Sequence, residues 1–273
     1  MKKILKVIIN CLSALFIMTL INGFAPLIGI IPFIGMGDLG YTLSHLLILM
    51  LTFLFIFMCI TKGMEGKLLD YRITKPYLRK EWFILSFIAL IIMYLGFFII
   101  TNGVWKSGNV NDIPIFTVVI IITSLSTSIS EELFFRGLLL GYIEKRTNTY
   151  FALIISSLLF SIVHIMNGNY DLKNIVQISI GIFIAGLCYG LLVIYYKTIW
   201  SAIIVHFSFD ITQLFDITTE HSNQSIIEYV YTSSNQIITG GQYGSTVSII
   251  TIIAFIVITL YLSYKMKFNI NKI

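Results

Sequence analysis

Long apolar runs separated by short polar intervals set the pattern of this chain. Runs of about 18 or more apolar residues recur from end to end, and runs of that length read as transmembrane helices. The pattern predicts helices over residues 4–23, 43–61, 82–101, 114–143, 150–167, 174–196, 198–215 and 246–264. After the first run, "FAPLIGIIPFIG" is rich in glycine and proline and predicts a re-entrant or interfacial stretch. Residues 62–81, charged and containing Pro76, predict a loop lying on the membrane surface, and residues 216–245 predict a long polar external loop. With no internal repeat, linker or second domain visible, residues 1–273 are expected to form one all-α, polytopic membrane domain, a bundle of about eight transmembrane helices.

Composition supports this. Hydrophobic residues make up 57% of the chain and charged residues only 11%, against about 25% charged in soluble domains. The net charge of +5 could point to nucleic acid, but its distribution points to lipid. Lysines and arginines cluster at Lys2, Lys3 and Lys6, between Lys62 and Lys80, at Lys145 and Arg146, at Lys197, and at Lys265, Lys267 and Lys272. The alternate intervals carry acids, including Asp38, Asp112, Asp171, Asp216, Glu220 and Glu228. That is the positive-inside pattern, which places both termini in the cytoplasm and makes the bilayer, not nucleic acid, the expected partner. The start, "MKKILKV", resembles a signal peptide, but the apolar run is long and no A-x-A site follows, so a retained first helix is expected. Cys11, Cys59 and Cys188 lie in apolar runs without C-x-x-C spacing and read as small core residues.

Six ionisable residues lie inside predicted helices, away from their ends: Glu131, Glu132, Arg136, His164, His206 and Asp210. Each costs at least about 2.5–3.5 kcal/mol at the bilayer centre, so such groups normally face a cavity and mark function. At about 1.5 Å per residue, Glu131 lies roughly 18 Å from the cytoplasmic end of its helix, His164 roughly 21 Å, His206 roughly 12 Å and Asp210 roughly 18 Å. Groups on three helices at similar depth imply one shared site. Glu132 and Arg136 are four apart, acid before base, and form a favourable pair on one helix face. Glu131 points about 100° away and is left free. His206 and Asp210 are also four apart.

Two hydrolytic chemistries fit these residue types. A buried carboxylate beside a histidine can take a proton from water and return it to a leaving amine, while a second histidine donates to the oxyanion. Alternatively, Glu131, His164 and His206 form a plausible zinc set. Each residue also has a plainer reading, as a structural ion pair or as a histidine bonded to a backbone carbonyl. His45, at the start of a helix, and His221, in the external loop, are assigned no role.

The run Glu131-Glu132-Leu133-Phe134-Phe135-Arg136-Gly137 resembles the E-E-x-x-x-R motif of the CAAX prenyl protease and bacteriocin-processing (CPBP, or Abi) family. Phe160-Ser161-Ile162-Val163-His164 is similar to its F-x-x-x-H motif, and His206 followed by Asp210 to its third. The motifs occupy residues 124–215 in the family's order. The resemblance implies an eight-helix intramembrane endopeptidase, glutamate- or metal-dependent, acting on a membrane-embedded or lipid-anchored peptide. It implies that Glu131 activates water with help from His164, that His206 and Asp210 stabilise the oxyanion, and that Glu132 and Arg136 organise the site. Prenyl-processing members commonly carry asparagine where this chain has Asp210. A composition rich in Ile, Lys and Asn suggests a bacterial plasma membrane and pheromone, bacteriocin or leader peptides as substrates. The alternative is a bacteriocin self-immunity protein that acts by binding. A proton-coupled transporter is disfavoured, because paired interrupted helices in two related halves are not seen.

Overall fold

The computed structural model describes residues 2–64, 66–166, 168–222 and 224–270, so Lys272 of the C-terminal basic group lies outside the described residues. Helix α1 (Lys2–Phe24) runs on through a 3-10 turn, Ala25–Ile30, and α2 (Asp38–Met58) ends in a wider π-helical turn, Cys59–Gly63. Helix α3 (Lys80–Ile100) leads to strand β1 (Val104–Ser107). Helix α4 (Ile113–Glu132) passes through a π-helical segment, Leu133–Leu139, into α5 (Leu140–Glu144). Then follow α6 (Thr149–Met166), α7 (Leu172–Tyr196), α8 (Trp200–Asp210), β2 (Phe215–Thr218), β3 (Ile227–Val230), α9 (Gln236–Thr239) and α10 (Ile249–Ile270). In lipid a spanning segment must satisfy its own backbone donors and acceptors, and helices do so within one segment.

Among the described residues, seven helical stretches are long and apolar enough to cross a membrane, and the chain is a multi-pass integral membrane protein. The predicted helix 198–215 is the shorter one. Helix α8 and the 3-10 turn after it (Ile211–Leu214) span under about 25 Å, short of the ~30 Å hydrocarbon core. Its chain still passes from one side to the other, because its C-terminal end feeds β2, which shares a sheet with β1 beyond the end of α3. A short helix is tolerated because α8 packs among α3, α4 and α7 rather than against lipid. Ser201–His206 are buried on all sides.

Three intervals differ from expectation. The glycine- and proline-rich stretch starts as a continuation of α1, so that Leu5–Ile30 forms one helical span. Residues 62–81 are not simply laid on the surface: Tyr71 is 1% exposed and Ile73 is buried. Glycines 137 and 141 make that possible, since a Cβ at Gly141 would come within 2.6 Å of the Tyr71 ring and one at Gly137 within 3.1 Å of Ile73. The Arg72 carbonyl accepts from Ile199 N (3.0 Å), and the Thr74 carbonyl from Trp200 Nε1 (3.1 Å). This segment therefore fixes the start of α8.

The third difference is the interval 216–245, which is folded rather than a plain loop. Strands β1, β3 and β2 form a sheet in that order, β1 antiparallel to β3 (Val104 opposite Val230) and β2 parallel to it (Phe215 opposite Ile227). The Glu228 carboxylate is fully covered and accepts from His221 Nδ1 (2.6 Å), Ser222 Oγ (2.8 Å) and Gln224 N (3.1 Å). Asn174 and Gln177 of α7 bind the backbone around α9. Four-residue strands are too short to announce themselves by alternation. The acids of this face also serve locally. Asp112 caps α4 by accepting from Ile115 N (3.0 Å), and Asp171 caps α7 by accepting from Asn174 N (2.8 Å).

Candidate active site

Three helices bring the six intramembrane ionisable residues into one cluster. Helix α4 and its π-helical extension carry Glu131, Glu132 and Arg136; α6 carries His164; α8 carries His206 and Asp210. π-helical insertions inside helices often mark functional sites, and this one begins immediately after the paired glutamates.

Arg136 is completely buried, as is Glu132. Its Nη1 donates to Glu132 Oε1 (3.0 Å) and its Nη2 to the Gly186 carbonyl (3.2 Å). The guanidinium carbon lies 4.2 Å above the Phe160 ring and 5.3 Å from that of Tyr189, placing the cation against two aromatic faces. The same Glu132 oxygen takes His206 Nδ1 at 2.9 Å. A buried ion pair offsets its desolvation only when further hydrogen bonds support it; here His206 and Gly186 supply two, while Glu132 Oε2 and Arg136 Nε have no hydrogen-bond partner among the described residues. Tyr189 stacks on the His206 imidazole, centroids 4.7 Å apart and planes at 16°.

The opposite edge of His206 faces the free acids. Its Nε2 lies 3.8 Å from Glu131 Oε2 and 3.6 Å from Asp210 Oδ1. His164 Nε2 lies 4.0 Å from the same Glu131 oxygen, while its Nδ1 sits 2.8 Å from the Phe160 carbonyl. A carbonyl can only accept, so Nδ1 of His164 carries a proton, and Nε2 is the ring nitrogen turned to Glu131. Glu131 Oε2 and Asp210 Oδ2 are buried without a hydrogen-bond partner among the described residues. Orphaned acceptors converging in this way mark a place where water or a ligand binds.

Glu131 opens onto a cavity of about 230 Å³ between α1, α2, α4 and α6, whose polar wall includes Thr19, Asn22, His45 and Ser130. A water occupies about 30 Å³ of liquid volume, so several fit. His45 and Tyr189 are two site residues to which the sequence assigned nothing. For His45 a signal exists: Tyr41-x-x-x-His45 repeats the spacing of Phe160-x-x-x-His164. Tyr189 lies in an apolar run and carries none. His221 sits apart, in the loop between β2 and β3.

The fit to zinc is poor. Bonds of about 2.0 Å set tetrahedral ligand edges near 3.3 Å, and the Glu131–histidine separations of 3.8 and 4.0 Å exceed that. Among the described residues no group of three His, Cys, Asp or Glu side chains is arranged to hold a metal.

Residues 113–212 match the family model of the type II CAAX prenyl endopeptidase, Rce1-like. Over 87 residues the chain is 34% identical to "Putative membrane peptidase YdiL" of Bacillus subtilis (strain 168), a match covering 32% of each chain. The similarity thus spans about a third of that relative's length. No solved structure matches. The three motifs all fall within residues 113–212, and over that stretch the chain is similar to the type II CAAX prenyl endopeptidase, Rce1-like.

Proposed function

We propose that this protein is an intramembrane endopeptidase in which Glu131 activates the water that hydrolyses a peptide bond of a membrane-associated peptide. The observation that carries this reading is the position of Glu131 Oε2, unpartnered and 3.8–4.0 Å from two imidazole nitrogens at the edge of a cavity. Such separations are too long for direct hydrogen bonds and suit a bridging water.

In this mechanism the water donates one hydrogen bond to the Glu131 carboxylate and one to Nε2 of His164. Its oxygen attacks the scissile carbonyl, a C–O bond forms, and Glu131 takes the proton. His206 faces the developing oxyanion through Nε2. Since its Nδ1–H is directed at Glu132 (2.9 Å), donation from Nε2 requires the imidazolium, whose charge Glu132 and Asp210 balance. The C–N bond then breaks, and Glu131 returns the proton to the leaving amine. Asp210 Oδ1, 3.6 Å from His206 Nε2, lies where a carboxylate balances the imidazolium. Glu132 and Arg136 hold the frame. No step requires a metal.

Apart from Lys106 in β1 and Lys173 at the start of α7, the lysines and arginines flank the helix ends opposite the sheet, which supports a cytoplasmic location for that face and for both termini. The test is chemical. Reconstituted protein incubated with single-span peptides in H₂¹⁸O should release a fragment whose new carboxylate carries one ¹⁸O. Intact peptides after prolonged incubation with a broad panel, together with unimpaired immunity by a Glu131→Gln variant, would favour the binding-only immunity role.

A further inference from the structure

The cavity beside Glu131 is rich in hydrogen-bond acceptors. Thr19 donates its hydroxyl to the Leu15 carbonyl (3.0 Å), and Ser130 donates to the Ser126 carbonyl (2.7 Å). Asn22 directs its amide NH₂ to the Met18 carbonyl (2.9 Å). His45 Nδ1 bonds the Tyr41 carbonyl (2.9 Å), with its ring 4.4 Å from Tyr41 at 60°. His164 is held by the same device, 4.4 Å and 60° from Phe160. In every case a donor is turned back onto its own helix. What these five groups leave for the cavity is mainly lone pairs: two hydroxyl oxygens, the Asn22 Oδ1, the His45 Nε2 and the Glu131 carboxylate, beside the second Asn22 N–H and the hydroxyls of Ser126 and Thr127. No lysine or arginine lines this cavity.

An acceptor-rich wall inside an apolar bundle is matched by a ligand that brings donors. Resting on the protease reading, we propose that this cavity is a substrate subsite for a protonated amine, a lysine side chain of the peptide adjacent to the bond being cut. An ammonium brings three donors and no acceptor, and the Glu131 carboxylate at the cavity's edge supplies the opposite charge. His45 is then a substrate-contacting residue that selects for the amine. An acidic residue in the same place would set its charge beside the Glu131 carboxylate, with no lysine or arginine in the wall to offset it.

Binding is measured without turnover, using the full-length His164→Gln protein in nanodiscs, which keeps the Glu131 carboxylate in the cavity wall. The probes are three fluorescent single-span peptides identical except for lysine, norleucine or glutamate at the candidate position. That position is scanned along the outer half of the span. The lysine peptide is expected to bind at least about 10-fold tighter than norleucine at one register, as for a hydrogen bond to a charged group, with glutamate weakest. Adding His45→Leu or Thr19→Val, each checked for an unchanged melting temperature, should shrink that preference, and His45→Gln should keep part of it. Equal binding of lysine and norleucine at every register overturns the proposal, as does a preference that survives both substitutions. Lysine-selective binding with no cleavage by wild type would leave the subsite standing and remove the protease reading. Cleavage that is indifferent to lysine would do the reverse.

Discussion

His206 Nδ1 lies 2.9 Å from Glu132 Oε1, joining residues 74 positions apart through one fully buried carboxylate. Arg136 binds the same oxygen at 3.0 Å. Glu132→Gln should therefore remove the countercharge of Arg136 and the anchor of His206 together. Breaking a buried pair typically costs about 3–5 kcal/mol, so a large drop in melting temperature in detergent is expected. Arg136→Met should behave similarly, and the double substitution should cost less than the sum of the two, as coupled neighbours do. A Glu132→Gln protein that melts like the parent would contradict a structural role for this pair.

Cleavage should survive chelation. The Glu131–histidine separations exceed zinc ligand edges, so dialysis against a strong chelator is expected to leave the rate within about twofold, and stoichiometric zinc should be absent from active preparations. Activity lost on chelation and restored by zinc would mean that the three side chains close around a metal.

The sheet should respond to pH in two opposite ways. Burial raises the Asp216 carboxyl above its ordinary range, and the neighbouring Glu228 adds to this against a hydrogen bond from Ile217 N. A raised carboxyl destabilises the fold above that value, and the penalty vanishes below the ordinary carboxylate range. Asp216→Asn should accordingly melt higher than the parent at pH 7, with the gap closing toward about pH 4. For Glu228, burial pushes the carboxyl up, but hydrogen bonds from Ser222 and His221 outweigh it and hold the group low. Its stabilisation is present above the ordinary carboxylate range and is lost as pH falls through the lowered value. Glu228→Gln should melt lower at pH 7, and by less as the pH falls. Melting curves across pH 4–8 check both signs.

The packing of residues 68–75 depends on the absence of a side chain at position 141. Gly141→Ala would place a methyl 2.6 Å from the Tyr71 ring, and overpacking of this kind costs about 1–3 kcal/mol. The start of α8 hangs on the same segment through Arg72 and Thr74. The substitution should therefore lower activity as well as stability, and Tyr71→Ala in the same chain should relieve part of the loss. Unchanged melting and activity in Gly141→Ala would show that the segment yields freely.

The membrane helices were legible because lipid imposes a plain rule on length and polarity. The ionisable cluster was legible for the converse reason: each of Glu131, Glu132, Arg136, His164, His206 and Asp210 violates that rule, and all six meet in space. What the sequence left hidden obeys no such rule. Strands of four residues at β1, β2 and β3 lack a readable period. The burial of Tyr71 depends on glycines about 70 positions away, and the place of Tyr189 over His206 is decided by helix packing alone. His45 stood near the predicted start of its helix, and only the approach of α2 to α4 turns it toward Glu131's cavity.

The central claim is that Glu131 activates water, and its most direct test compares wild type with Glu131→Gln in liposomes containing a cleavable single-span peptide. Glutamine keeps the size and one acceptor but cannot take a proton, and loss of a general base typically lowers the rate about 10²–10⁴-fold. A fall of that size with unchanged melting temperature is expected. Equal cleavage by the two proteins would contradict it and reduce Glu131 to a structural residue.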